Sequence, residues 1–225
     1  MRLFIGNKNY SSWSLRPWLL MRELGIAFEE QLVPFGSDAW KSVTDLSPTG
    51  KVPCLVDGEI IVWDSLAISE YLAEGNPAVW PADREARAFA RSIAAEMHSG
   101  FQALRSMCSM TCGLKVQLNE ISPAVAHDWS RIDAIWQEGL SRFGGPFLAG
   151  DRFTAADAFY APIVFRARTY SPSLSAAASG YVATMLALAG MTSWFEAALA
   201  EPWRDAPHED EVRAAGTILE DLRKA

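Results

Sequence analysis

The chain changes character at Asn76-Pro77, and this break constrains its fold more than any other sequence feature. Ahead of it, short apolar runs of β-forming residues alternate with helical periods. Beyond it, from Arg84 onward, only helical periods recur. They are interrupted at Ser122-Pro123, Gly144-Gly145-Pro146 and Ser171-Pro172, the pattern of a helical bundle. The expected division is a mixed α/β region over 1–76, a linker over 77–83 in the Pro-containing segment NPAVWPADR, and an all-helical region over 84–225.

Within the first region, Arg2 to Ile5 (RLFI) predicts a buried strand ended by Gly6. The stretch LRPWLLMRELG carries its apolar residues at helical spacing and stops at Gly25. Pro17 then falls early in the helix, where a missing N–H costs nothing. Ala27 to Pro34 reads as a second strand, and a strand–helix–strand crossover makes the two strands parallel. A short helix is expected in GSDAWKSVTDLSPTGK, closed by Ser47-Pro48. The runs VPCLV and IIVW flank Asp57-Gly58-Glu59, a strong signal for an antiparallel hairpin. Asp64 or Ser65 then caps a helix, SLAISEYLAEG, that ends at Gly75. The order is β-α-β-α-β-β-α.

Composition narrows the function classes. With 20 Lys and Arg against 27 Asp and Glu, the net charge is −7, and the basic residues are scattered. Phosphate binding needs them clustered, so no nucleic-acid partner is expected. Polar residues interrupt the N-terminus before a signal peptide's apolar run could form. No segment approaches the roughly 20 apolar residues of a membrane span. A cytoplasmic protein with no membrane partner is expected. Cys54, Cys108 and Cys112 have no disulfide-framework spacing. Cys54 is expected inward on its strand. Cys108 and Cys112, four apart on an expected helix, read as small core residues. His98, His127 and His208 are too isolated for a metal site and read as helix surface or satisfied core, so no metal is expected.

Three constellations carry chemistry. Tyr10-Ser11-Ser12-Trp13-Ser14, between the first strand and first helix, puts four hydroxyls in five positions. Hydroxyls at a helix N-terminus can donate to a thiolate and stabilise it, although one of them alone would suffice as a cap. Val52-Pro53 opens a strand with a proline, which removes a ladder donor. Either the bond is an ordinary trans one, or it is cis and turns the Val52 backbone toward a ligand. Asp64-Ser65 begins a helix, where free N–H groups favour an anion; the alternative is a plain cap.

Taken in this order and at this spacing, the three resemble the glutathione S-transferase superfamily, in a bacterial-type form. The loop SSWSLR is similar to the SSCSWR-type motif of the zeta class, with Trp13 where that motif has Cys. FLAGDRFTAADAFYAP, residues 147 to 162, resembles the family's buried N-capping box, with Thr154 capping and Asp157 reciprocating. That motif is structural, and no chemistry is assigned to it. The resemblance implies a thioredoxin-like N-terminal domain followed by an all-helical C-terminal bundle, glutathione as co-substrate, and a homodimer. It implies Ser11 as the residue that activates the thiol, with Ser12, Ser14 and Tyr10 as alternatives. Lys51 would meet the glycyl carboxylate, Val52 the cysteinyl backbone across cis Pro53, and Asp64 and Ser65 the γ-glutamyl head. A small electrophile would sit over the first helix of the second domain, lined by the stretch Met97 to Met110, against Trp13, Phe101, Arg105 and Met107, with Trp40 nearby. The expected activity is glutathione transfer. The alternatives are a zeta-like cis–trans isomerase of maleyl-type acids, for which Arg105 is the hint, and a non-catalytic glutathione-binding protein.

Overall fold

The computed structural model describes residues 1–223; residues 224 and 225, the last two of the expected helical region, lie outside the described residues. In chain order the first region contains β1 (Arg2–Ile5), α1 (Ser12–Glu23), β2 (Glu29–Leu32), α2 (Lys41–Leu46), β3 (Cys54–Asp57), β4 (Ile60–Trp63) and α3 (Ser65–Gly75). The sheet order is β2-β1-β3-β4, with β1 and β2 parallel and the other pairs antiparallel. Leu3 lies opposite both Glu30 and Leu55, so β1 is paired along both edges. Alternate residues face opposite sides of a sheet. Leu3, Ile5 and Leu55 accordingly join the main core, while Phe4, Cys54 and Val56 form a smaller cluster with Val33 and Val43 under α2.

The helix after β1 starts three residues earlier than its apolar period suggests. The Asn7 carbonyl accepts from the amides of Tyr10 (3.1 Å) and Ser11 (2.8 Å), which closes a turn and lets α1 begin at Ser12. Pro17 is therefore inside the helix, and its ring removes one interior donor. Ser11 occupies the cap position, with no side-chain capping hydrogen bond.

Beyond a single 3₁₀ turn at Pro77–Val79 come α4 (Arg84–Ser99), α5 (Gln102–Met107), β5 (Leu114–Leu118), α6 (Pro123–Phe143), α7 (Ala155–Tyr170), α8 (Ala176–Leu186), α9 (Ala189–Ala200), α10 (Ala206–Ala215) and β6 (Gly216–Asp221). The expected breaks hold: Ser122 caps α6, Gly144 ends it, and Ser171 ends α7, the last two in left-handed conformation. The helical region differs from expectation in one element, an antiparallel ribbon formed by β5 and β6. LKVQL alternates apolar and polar residues, but only for five positions, and its partner strand lies about a hundred residues away. Cys108 and Cys112 consequently lie in the irregular segment between α5 and β5, not four apart on one helix. All three cysteines are free and buried.

A second correction concerns the stretch Met97 to Met110. It is two helices, broken at Gly100, where a Cβ would stand 2.8 Å from the Glu96 carbonyl oxygen, and at left-handed Phe101. One continuous hydrophobic core links both regions, because α1 packs directly on α7 and α9 and contributes Leu15, Trp18 and Leu19. Among the described residues no single helix is long and apolar enough to cross a membrane.

Candidate active site

A cleft of ≈ 760 Å³ opens beside the N-terminus of α1. Its floor is the loop after β1: Tyr10, Ser11, Ser12 and Trp13 all line it. Lys51 and Val52 line it from the approach to β3, and Phe35 and Trp40 from the segment after β2. The Val52–Pro53 bond is cis. Neither the amide nor the carbonyl of Val52 makes a hydrogen bond among the described residues.

The four hydroxyls of the loop differ in what they hold. Ser11, nearly buried, donates to Ser14 Oγ at 2.7 Å, and Ser14 Oγ also accepts from the Gly6 amide at 3.1 Å. Ser14 is thus behind the wall and does not line the cleft. Ser12 lines it, with no side-chain hydrogen bond among the described residues. The Tyr10 hydroxyl donates to Glu209 Oε1 at 2.6 Å. Burial first, then that bond, pushes its pKa up to about 12.

The far wall is set by helical spacing on α5 and the turn after it. Gln102, Arg105, Ser106 and Ser109, with Met110, face the cleft. Phe101, Leu104 and Cys108 turn the other way into the core, and Met107 packs against that core, so neither Phe101 nor Met107 lines the cleft. Arg105 is held by the carbonyls of His98 and Gly100 (both 3.2 Å), while its Nη2 is buried without a partner. Burial lowers its pKa. The guanidiniums of Arg105 and Arg16 stand 4.3 and 4.1 Å from the centre of the Trp13 indole. Arg16 is fully buried, and its Nε and Nη1 have no partner; burial, then Arg105 and Arg166, holds its pKa well below the ordinary value.

Asp64 and Ser65 lie next to the cleft rather than on its lining. Asp64 caps α3 from φ 75°, accepting from the Leu66 amide at 2.8 Å, and its second oxygen lies 3.5 Å from Nε2 of His98, which does line the cleft. The hydroxyl of Ser65 is buried with no partner.

Several lining groups escape a reading of local pattern: His98, Gln102, Ser106, Ser109, Arg166, His208 and Glu211. His98 and His208 are wall residues, not helix surface or satisfied core; His127 is exposed. Arg166 had a legible signal, since a charge inside the apolar run AFYAPIVFRARTY must find buried partners. It donates to the Cys108 carbonyl at 2.7 Å, and burial pulls its pKa down to about 10. Lys51, Arg105 and Arg166 line the cleft against a single carboxylate, Glu211, so its local charge is opposite to that of the whole chain.

The expected capping box is present. Asp157 accepts from the amides of Leu148 (3.0 Å) and Thr154 (2.9 Å) and the hydroxyls of Thr154 (3.2 Å) and Tyr181 (3.1 Å).

Comparison with known proteins agrees with this geometry. Residues 10–74 match the family model described as the glutathione S-transferase N-terminal domain, and residues 122–215 match the corresponding C-terminal domain. The chain is 32% identical to a zeta-class glutathione S-transferase from Euphorbia esula, over 71% of this chain and 73% of that one. It is 30% identical to a probable maleylacetoacetate isomerase from Caenorhabditis elegans, over 73% and 77% of the two chains. A glutathione transferase homolog from Burkholderia gl BGR1, solved with bound glutathione, superposes with a TM-score of 0.68 at 24% identity, covering 88% of this chain and 97% of that one. The chain therefore belongs to the glutathione S-transferase family, whose enzymes use glutathione as co-substrate.

Proposed function

We propose that this enzyme binds glutathione along the Val52–Ser65 side of the cleft, stabilises its thiolate with Ser11, and directs the sulfur at a small electrophile held by the α5 wall. The observation that carries the reading is a set of unspent polar groups. Among the described residues the Val52 backbone and the Ser65 hydroxyl have no partners, although neighbouring polar groups do. A peptide's cysteinyl backbone satisfies the first, and an α-carboxylate the second. Asp64 keeps one oxygen free of the cap for an ammonium, and Lys51 offers a charge to the glycyl carboxylate.

Hydroxyl protons rotate. With a thiolate in place, Ser14 can donate to Ser11 and free Ser11 to donate to sulfur. Such a bond to a charged acceptor contributes about 1.5–3 kcal/mol, or about one to two pKa units. Tyr10 suits the task less, because its hydroxyl is committed to Glu209. Ser12 is the rival, being uncommitted and in the cleft.

A second reading has its own support. Arg105 and Arg166 line the cleft, and Arg105 has an unused buried donor. These cations suit an acidic substrate. In an isomerase of maleyl-type acids, the thiolate carbon–sulfur bond forms, the former double bond rotates, and the same bond breaks, returning glutathione unchanged. Trp13, where the zeta motif carries Cys, fills part of that space. Turnover of an aryl halide with glutathione consumed favours the transferase. Turnover of a maleyl acid with no glutathione consumed favours the isomerase.

The proposal extends to a cytoplasmic homodimer. The edge strand β4 exposes Ile60 (52%), Ile61 (37%) and Trp63 (41%) beside α3, an apolar surface that a second copy would cover. Sedimentation of a Trp63→Glu variant as a monomer, beside a dimeric parent, tests this.

A further inference from the structure

α10 is the wall of the cleft with no assigned part in binding. It is drawn onto the site at three points. Tyr10 donates to Glu209, Arg223 pairs with the same carboxylate and lies 3.4 Å from the Tyr10 hydroxyl, and β6 zips onto β5 just beyond. This anchoring brings one side chain, His208, to the lining of the cleft in a fixed pose. Its ring stacks on Tyr10 (centroids 5.1 Å apart) and lies 9° from parallel to Phe35 at 5.7 Å. Asp205 Oδ2 is 2.5 Å from Nδ1. The carboxylate fixes Nδ1 as the protonated nitrogen, as in any Asp–His pair. Nε2 is left without a partner among the described residues.

Two features say what Nε2 is for. Phe35 stacks on His208 and packs at a tilt against Trp40, and all three line the cleft that Lys51 also lines. Lys51 itself is exposed, and a single exposed ammonium adds little affinity in water. A carboxylate has two oxygens and prefers a second, oriented donor. Glu211, the one carboxylate lining the cleft, lies three residues along the same helix and opposes an anion there. We infer that His208, oriented by Asp205 and stacked between Tyr10 and Phe35, is a binding residue that donates from Nε2 to the glycyl carboxylate of glutathione, opposite Lys51. In the complex Nδ1 faces Asp205 and Nε2 faces the glycyl carboxylate. The inference rests on the glutathione reading of the cleft given above.

The test compares dissociation constants for glutathione and for its glycyl monoethyl ester, which has no charge at that end. Three proteins are titrated: the parent, Lys51→Ala, and His208→Phe, which keeps the stack and removes both nitrogens. The parent should prefer glutathione to the ester. His208→Phe should bind glutathione about tenfold more weakly and the ester unchanged, with an unaltered thermal midpoint. His208→Gln, which restores a donor, should recover part of the loss. If His208→Phe weakens both ligands equally, or neither, the inference is wrong. If Lys51→Ala still discriminates against glutathione in that case, the reading of the cleft stands without it. If the parent binds neither ligand, the reading of the cleft fails as well.

Discussion

The first turns of α3 and α7 both begin with an acid-and-hydroxyl pair, and the molecule treats them in opposite ways. At α7 the pair is saturated: Asp157 is buried and takes four hydrogen bonds from three residues. At α3 the pair is left open. Asp64 is partly exposed in a left-handed conformation that non-glycine residues seldom adopt, and the Ser65 hydroxyl is buried with nothing to bond. A buried polar group without a partner costs about 1–3 kcal/mol. At α3 only the hydroxyl beside the cap is left without a partner among the described residues, and on the proposed reading of the cleft that is the group a ligand would meet. On that reading, saturation marks the structural motif and vacancy the binding one, even though both are short acid–hydroxyl sequences at a helix start.

The contrast breaks first at Asp157. Replacing it with Ala strands donors on Leu148, Thr154 and Tyr181, and should lower stability by about 3 kcal/mol or more in denaturant unfolding. Glutathione affinity, measured where the variant is folded, should not change. A pH signature accompanies it. Burial raises the Asp157 pKa to about 6, against about 3.9 for an unfolded chain. The folded state therefore holds this proton more tightly, so the residue adds stability as pH falls from 7 towards 5 and loses it as pH rises. Asp157→Ala should flatten that slope without abolishing it, because burial raises Glu201 in the same direction.

Ser65→Ala should do the reverse. It removes a hydroxyl that holds nothing in the free protein, so stability should stay within about 0.5 kcal/mol. Glutathione binding should weaken by about 1.5–3 kcal/mol, the worth of a hydrogen bond to a charged group. Unchanged affinity by calorimetry would mean that vacancy at a cap is no guide to binding.

Ser11→Ala tests a third case, a hydroxyl engaged in the free protein but expected to change partner. The thiol of bound glutathione, followed by thiolate absorbance against pH, should titrate about one to two pKa units higher with little loss of affinity. A shift in Ser12→Ala instead would move the donor one residue on. The smallest effect is expected at Thr154, which shares its capping role with other donors to Asp157. Thr154→Ala should cost about 0.5–2 kcal/mol of stability and no affinity.

What could be read from the sequence was local. The Asp57-Gly58 hairpin, the Ser122 cap and the Thr154–Asp157 box each lie within a few residues, so spacing alone specifies them, and the parallel crossover follows from one strand–helix–strand unit. The same holds for the floor of the cleft, where Ser11, Lys51 and Val52 come from short motifs. Its other walls come from distant elements. Arg166, His208 and Glu211 reach the cleft because α7 and α10 pack where they do, and no local period records that packing. Phe101 and Met107 belong there if the stretch is one continuous helix, but the break at Gly100 turns both away. The ribbon was hidden for the same reason: a five-residue alternation has no hairpin turn to announce its partner.

The bond between Tyr10 and the C-terminal segment also sets a clock. Tyr10 and Arg223 are 213 residues apart, so the loop at the floor of the cleft acquires these buried partners only once residue 223 has been made. At a synthesis rate of about 5–20 residues per second, that is roughly 10–40 s after Tyr10 is made. During that interval the sheet and α1 can form from local contacts, but the Tyr10 hydroxyl must be hydrated until Glu209, 199 residues on, is made. Closing so long a loop is entropically slow compared with the local steps. The loop at the floor of the cleft is therefore finished by a segment made 213 residues after Tyr10, long after its local contacts can form.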